Sequence, residues 1–343
     1  MKDKKTIKTH LSIKEIARQA GVGTATVDRV LHNRGGVSFS KHKKVMKVIQ
    51  QDEAVNLDHK IPMKRKRLAL IVNSGEMFIE TMSEAAQEAG EILKQEDIDV
   101  TVHQIAPLDI DSIPDVIRSV RDDFDGLAII SPEGAEIHRA VDAVVDSGKP
   151  VVTVTTDLPN TKRIGWLGMN QYSAGRTAGY LMRQFLGTKG GEVVLVVGHA
   201  FRCQEEREMG FRSYLREQSP HLKVREVVDV QNDQEIAYEN ISRLIRDRGL
   251  PLGFYAVSGG NLGISRAIEK FRNVTRPIFI GHELNRITRS LLIEGKMDAV
   301  FEHDSQKEML DAFRQLANAI MGEIDSALFR TFPPQVVFRE NIS

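Results

Sequence analysis

The chain has 343 residues, 41% apolar and 27% charged, a composition that fits a soluble folded protein and excludes a collagen-like or disordered one. Its formal charge is zero, but the first 67 residues hold 17 Lys/Arg against six Asp/Glu, leaving 30 basic and 41 acidic residues for the remainder. The single Cys203 excludes an internal disulfide, and no apolar run reaches the roughly 18 residues of a membrane-spanning helix.

A basic head on an acidic body follows from that asymmetry. A positive excess packed into a fifth of the chain neutralises phosphates and releases counterions, whereas the acidic remainder need not touch a polyanion. The length exceeds what one hydrophobic core usually holds, so two or three domains are expected. Met1 to His10 is polar and lysine-rich with no apolar run behind it, which is not a signal peptide, and a cytoplasmic protein is expected.

Ser12-Ile13-Lys14-Glu15 reads as a capping box, with the Ser12 hydroxyl set for the Glu15 amide and the Glu15 carboxylate for the Ser12 amide. A helix from Ile13 to Gln19 or Ala20 then ends at Gly21, where a left-handed backbone carries little steric cost. A second helix, about Thr24 to Leu31, turns Val27, Val30 and Leu31 inward, and small Ala17 permits close contact. Gly35-Gly36 breaks the chain, and a third helix from Lys41 to Gln51 adds Val45, Val48 and Ile49 to the core. This is the helix-turn-helix pattern, whose second helix enters the DNA major groove. Thr24 and Ala25 head that helix toward base edges, and Arg29, one turn on, can fork onto guanine. Thr26, Asn33, Lys41, Lys43 and Lys44 suit phosphates.

The run Ile13-Lys14-Glu15-Ile16-Ala17-Arg18-Gln19-Ala20-Gly21-Val22-Gly23-Thr24-Ala25-Thr26-Val27-Asp28-Arg29-Val30-Leu31, then Asn33 and Gly36-Val37-Ser38, closely resembles the DNA-binding head of the LacI/GalR family of bacterial transcription regulators. Gly23 and Asp28 depart from it, standing where that family commonly has phosphate-holding serines; Asp28 is expected to read a cytosine amino group or to pair with Arg29. The resemblance implies a hinge helix that wedges an apolar side chain into the minor groove. Pro62 interrupts such a helix, so residues 53–67, ending Lys64-Arg65-Lys66-Arg67, are expected to form a basic linker with Ile61 or Met63 as weak wedge candidates.

The body then alternates short apolar strands with amphipathic helices. Strands are predicted at Leu68-Val72, Val100-Ile105, Gly126-Ile130, Val151-Thr155, Glu192-Val197, Val224-Val230, Gly253-Val257, Pro277-Ile280 and Asp298-Phe301. Helices are predicted at Phe78-Gln95, Gly134-Ser147, Tyr172-Leu186, Glu205-Gln218, Gln234-Arg248 and Leu262-Phe271. Continuous apolar strands mean parallel sheets covered on both faces, and this much chain implies two doubly wound lobes. The segment from Asp157 through Gly168 to Gly187 is the expected crossover, and a helix Gln306-Met321 is expected to cross back. The expected fold is α/β, two-lobed with doubly wound parallel sheets, carrying an all-α head at residues 1–52; residues 68–343 sense ligand and dimerise.

Ligands of such sheets sit at the carboxyl ends of the strands, here between the lobes. Polar residues gather there: Asn73-Ser74, Ser131 and Glu133, Thr156-Asp157, His199, Ser258 and Asn261, His282-Glu283 and His303-Asp304; of these Asn73, Ser131, Glu133, Asp157, Asn261, Glu283 and His303, with Asn170 beside the crossover, are expected to touch ligand. Phe78 and Trp166 suit stacking on the apolar face of a sugar ring. The layout resembles the periplasmic-binding-protein-like sensor of the same family through Gly168-x-Asn170, Gly175, Ala178-Gly179, Arg207-x-x-Gly210-Phe211, Arg266-Ala267 and Gly281-x-Glu283. The resemblance implies that Arg207 binds ligand; Glu283 replaces the usual aspartate, and His303 stands where glutamine is common.

His282, Glu283, His303 and Asp304 come from separate strands without metal-ligand spacing, so no metal is expected. Ser258-Gly259-Gly260-Asn261-Leu262-Gly263 lacks the Lys-Ser/Thr of a phosphate loop and the spacing of a dinucleotide fingerprint, and no nucleophile elbow occurs. No cofactor and no enzymatic activity are expected. The expected function is a ligand-responsive repressor, acting as a homodimer on a near-palindromic double-stranded operator and sensing a sugar-like effector. A transport solute-binding protein and, behind it, a nucleotide-dependent enzyme are the alternatives.

Overall fold

The computed structural model describes residues 11–32, 37–38, 41–42, 44–49, 65–107, 109–198, 201–272, 275–323 and 329–342. Met1 to His10, Asn33, Gly35-Gly36, Ser40, Lys43, Gln51, His199 and the linker positions 53–64, with Ile61, Pro62 and Met63, lie outside them. The chain divides into two units, Met1–Lys64 and Arg65–Ser343.

In the first unit, α1 (Ile13–Ala20) starts at Ser12, whose side chain accepts from the Glu15 amide, and ends at Gly21 with φ 63°. The expected reciprocal cap takes another form: the Ser12 hydroxyl also donates to the Glu15 carboxylate, at 3.3 Å. After the glycine turn comes α2 (Thr24–Leu31), and residues 44–49 form a third helical segment, α3. Ile16, Val27, Val30, Val45 and Ile49 are each at most 2% exposed and form one small core. At roughly 1.5–3 kcal/mol per fully buried aliphatic side chain, this core is what holds three short helices that would not persist alone.

The second unit holds two six-stranded sheets. Sheet one comprises β1 (Lys66–Asn73), β2 (Ile98–Ile105), β3 (Gly126–Ile130), β4 (Val151–Val154), β5 (Gly165–Met169) and β11 (Phe329–Phe332), in the order β11-β5-β4-β3-β1-β2. Sheet two comprises β6 (Gly191–Val197), β7 (Leu222–Asp229), β8 (Gly253–Ala256), β9 (Ile278–His282), β10 (Ala299–Glu302) and β12 (Gln335–Val337), in the order β12-β10-β9-β8-β6-β7. All neighbours are parallel except β10 with β12, so the second sheet is not purely parallel as expected. Strands β1 and β3 are buried almost throughout, as a sheet covered by helices on both faces requires.

The chain passes between the lobes where expected. Helix α7 (Gln171–Leu186) follows β5 of lobe one but packs in the core of lobe two, and α12 (Ser305–Ile320) follows β10 of lobe two but packs in the core of lobe one. A third passage, from β11 to β12, falls in a stretch whose strands the sequence reading missed, as it missed β5, α5 (Ile113–Val120) and α11 (Arg286–Ile293). The remaining helices are α4 (Glu76–Leu93), α6 (Ala135–Asp146), α8 (Arg202–Gln218), α9 (Gln234–Arg248) and α10 (Asn261–Phe271). Among the described residues no helix is long and apolar enough to cross a membrane.

Candidate functional site

A cavity of about 520 Å³ lies between the carboxyl ends of the two sheets. Lobe one lines it with the turn after β1 and the start of α4, including Phe78, and with Pro107, Ile130 and Thr155; lobe two adds Arg207, Asn232, Ser258, Asn261, His282 and Glu283. The backbone is strained here. Five non-glycine residues among those described have left-handed φ, and four of them, Thr155, Gln231, Asn232 and Glu283, line this cavity. Such conformations cost about 1–3 kcal/mol each and collect where geometry serves a ligand.

Arg207 is positioned by the approach of two helices. A Cβ on Gly175 of α7 would stand 2.0 Å from the Arg207 carbonyl oxygen, and one on Gly210 of α8 would stand 2.1 Å from that of Tyr172, so only glycines let these backbones touch. The buried guanidinium donates to Gln171 Oε1 at 2.7 Å and to the Val257 carbonyl at 2.8 Å. Its Nη2 stands 3.7 Å from Glu283 Oε1. Glu283 Oε2 faces His303 Nε2 at 3.1 Å, and His303 Nδ1 faces Glu308 Oε2 at 3.1 Å. Burial pushes the Glu283 carboxyl up, but His303 and Arg207 outweigh it and leave it below the usual carboxylate range. Burial alone would strip His303 of its proton; Glu308 and Glu283 together hold its pKa well above that of a free histidine. The Phe78 ring, on the cavity wall, stacks on His303 behind it, 6.2 Å between centroids.

His282 behaves oppositely. Burial, reinforced by the charges of Arg207 and His303, drives its pKa well below the ordinary value. Its Nε2 meets the Tyr255 hydroxyl at 2.9 Å. Among the described residues, His282 Nδ1, Asn232 Nδ2, Ser258 Oγ and Asn261 Oδ1 are buried atoms without a hydrogen-bond partner, and all four residues line the cavity. A buried polar atom left unpaired costs about 1–3 kcal/mol, so these four await partners.

Of the ten body residues expected to touch ligand, Phe78, Arg207, Asn261 and Glu283 line the cavity, and His303 stands directly behind Glu283. The other five do not line it. Asn73 ends β1 and donates to the Ala106 carbonyl at 2.8 Å. Ser131 hydrogen-bonds the Pro132 carbonyl. Glu133 faces His138 at 3.6 Å and Arg202 at 3.8 Å. Asp157 is held by Arg163, and Asn170 caps α7 through the Ser173 amide. Trp166 is also away from the wall. A polar residue at a strand end can turn back to the loop that follows it, as Ser131, Asp157 and Asn170 do, or reach a neighbouring element, as Asn73 does to the loop after β2 and Glu133 to Arg202. Ser258 and His282 stand at strand ends that the sequence marks as polar but were not expected to touch ligand, and Asn232 was missed outright, because their signal is burial without a partner, which no motif carries.

In the head, Thr24, Ala25, Arg29, Lys41 and Lys44 are exposed and Thr26 is half-buried, while Asn33 and Lys43 lie outside the described residues. Asp28 faces His32, Oδ1 to Nδ1 at 3.1 Å, a contact the sequence reading did not foresee beside its two alternatives of a cytosine contact or a pairing with Arg29. One turn of helix separates Asp28 from His32 on a shared face, whereas adjacent residues point apart.

Residues 68–324 match the family described as periplasmic binding protein domain, and residues 12–53 match that described as bacterial regulatory proteins, lacI family. The HTH-type transcriptional regulator MalR of Clostridium butyricum is 23% identical over 290 residues, covering 79% of this chain and 82% of its own. Among solved structures, the glucose-galactose binding protein GanP of Geobacillus stearothermophilus superposes with a TM-score of 0.74 at 19% identity over 81% of this chain and 98% of its own. A solute-binding protein of an ABC transporter from Burkholderia graminis, in complex with D-arabinose, does so with a TM-score of 0.74 at 20% identity, covering 82% of this chain and 98% of its own. The chain therefore belongs to the periplasmic binding protein domain family through its body, and carries at its N-terminus a helix-turn-helix head of the lacI family of bacterial regulatory proteins.

Proposed function

We propose that this chain is a ligand-responsive transcriptional repressor that binds a near-palindromic operator as a homodimer and senses a small, neutral, polyhydroxylated molecule, a sugar or sugar derivative, in the cavity between its lobes. The observation that carries this reading is the set of four unpartnered buried polar atoms, on Asn232, Ser258, Asn261 and His282, around a cavity of about 520 Å³. Ligand hydroxyls supply both donors and acceptors and so match a mixed set of this kind. Arg207 and Glu283 offset each other's charge, which favours a neutral ligand over an ion. The sugar-binding proteins of similar fold support the class, and the lacI-family head supports regulation over transport.

Two-fold symmetry of a dimer would account for reading two half-sites, and the ligand acts through its differential affinity for the DNA-competent state. A thermal-shift screen against pentoses, hexoses, polyols and phosphosugars, followed by operator titration with and without each hit, tests the reading. At least one neutral sugar is expected to raise the melting temperature and to change operator affinity. Stabilisation by charged metabolites alone would overturn the ligand class, and unchanged operator affinity would overturn the regulatory role.

A further inference from the structure

Six buried or half-buried side chains form a closed circuit around the passages between the lobes. Thr155, just past β4, donates through Oγ1 to Glu308 Oε2 at 3.1 Å. His303 Nε2 hydrogen-bonds Glu283 at 3.1 Å, and Glu308 Oε2 stands 3.1 Å from His303 Nδ1, within ion-pair distance but out of hydrogen-bond alignment. Glu283 faces Arg207 at 3.7 Å, Arg207 donates to Gln171 at 2.7 Å, and Gln171 Nε2 donates to the Thr155 carbonyl at 3.3 Å, closing the ring. The members belong to different parts of the fold: Thr155 to lobe one, Gln171 to the start of α7, Glu308 to the first turn of α12, and the other three to lobe two.

Both nitrogens of His303 face carboxylate oxygens. A carboxylate oxygen only accepts, so a neutral imidazole would set a bare nitrogen lone pair against a charged oxygen in a site that is 2% exposed. With a proton on both nitrogens the circuit holds two carboxylates, one guanidinium and one imidazolium and is neutral overall. We propose that this circuit is a proton-dependent clasp on the passages between the lobes: the proton on His303 ties Glu308 of the crossing helix to Glu283 of the cavity wall, and its loss loosens both the interlobe passage and the orientation of Glu283. His303 and Glu308 are positioning residues, acting on the cavity through Glu283.

The charged groups around His303 are Glu283 and His282 on or beside β9, Glu302 on β10, Arg207 on α8 and Glu308 on α12. The Glu302 carboxyl is raised to about 7, so its titration overlaps the neutral range, whereas burial holds His282 well below its ordinary value. A pH series is therefore read as a difference between variants in a Glu302→Gln background.

The test uses the full chain and no ligand. Melting temperature is followed from pH 6 to pH 10 for the Glu302→Gln protein and for the same protein carrying His303→Gln. The clasp requires a gap of several degrees at pH 6 that shrinks as pH rises, because a raised histidine pKa contributes stability below it and loses that contribution above it. A gap constant across the series would show that His303 merely fills space and would overturn the proposal. If His303→Gln does not fold, Glu308→Gln carries the same comparison, since removing one carboxylate lowers the pH at which His303 loses its proton. An unchanged midpoint of the alkaline loss in that variant overturns the proposal equally.

Discussion

Asp157 and Arg163 form a two-pronged ion pair, Oδ1 to Nε and Oδ2 to Nη2, both at 2.6 Å, in which neither side chain is more than 15% exposed. The Thr153 hydroxyl and the Leu158 amide also donate to Asp157 Oδ1, so the carboxylate is spent on the loop after β4. Asp157→Ala is expected to lower stability by about 3 kcal/mol, the scale for leaving a buried charge without its partner, while ligand affinity of the folded fraction changes less than threefold. Chemical denaturation and ligand titration of the same variant separate the two. A stable variant that no longer binds would return Asp157 to the site.

The contrast between Asp157 and Glu283 shows how far the sequence reaches. Both are acids at the carboxyl end of a parallel strand, and periodicity and strand order are legible because apolar runs such as Leu68-Val72 register directly. Which acid faces the cavity is decided by a residue outside the motif: Arg163, six positions on, turns Asp157 away, and His303, twenty positions on, turns Glu283 inward. Thr155 and Glu308 were invisible for the same reason. Their partners lie 153 positions apart and meet only when α12 crosses back. Strand β5, Gly165–Met169, escaped notice because its Gly-Trp-Leu-Gly-Met run has neither β-branched residues nor alternation.

Arg207→Met retains much of the side-chain volume but removes the charge beside Glu283 and the donors to Gln171 and Val257. Ligand affinity is expected to fall at least tenfold, while operator binding by the unliganded protein persists. Anisotropy titrations of a labelled operator with and without the best sugar of the screen check this, and a full ligand response in the variant would remove Arg207 from recognition.

Arg29 is exposed on α2, while its neighbour Asp28 faces His32 at 3.1 Å. Arg29→Ala should therefore cost about 1–3 kcal/mol on the specific operator and little on random DNA, whereas Lys44→Ala should weaken both and flatten the salt dependence. Equal losses on the two DNAs for Arg29→Ala would rule out base reading.

Gly175 lies where α7 meets α8, and an alanine Cβ there would come within 2.0 Å of the Arg207 carbonyl oxygen, a clash that only backbone movement relieves. Gly175→Ala is expected to cost about 2–3 kcal/mol of stability and, unlike a remote overpacking, to weaken ligand binding by displacing Arg207. Denaturation and titration are again read side by side. Destabilisation with unchanged affinity would mean that α8 shifts without carrying its arginine.

Glu302 gives the body a pH dependence of definite sign. Burial, then the charge of Glu283, raises its carboxyl to about 7, against His303 and the amides of Leu284 and His303, which pull it down. A carboxyl whose pKa is higher folded than unfolded contributes stability that is fully present below about 4.5 and is lost as pH rises through about 7. Glu302→Gln keeps an oxygen for the Leu284 amide and removes the charge. The variant should match the parent near pH 5 and exceed it by about 1–2 kcal/mol at pH 8, the partial exposure of the side chain keeping the gain below that of a fully buried acid. Urea denaturation at the two pH values measures the difference. A variant less stable than the parent at pH 8 would mean that the Glu302 carboxylate is held charged by His303, and that the two titrate as a pair.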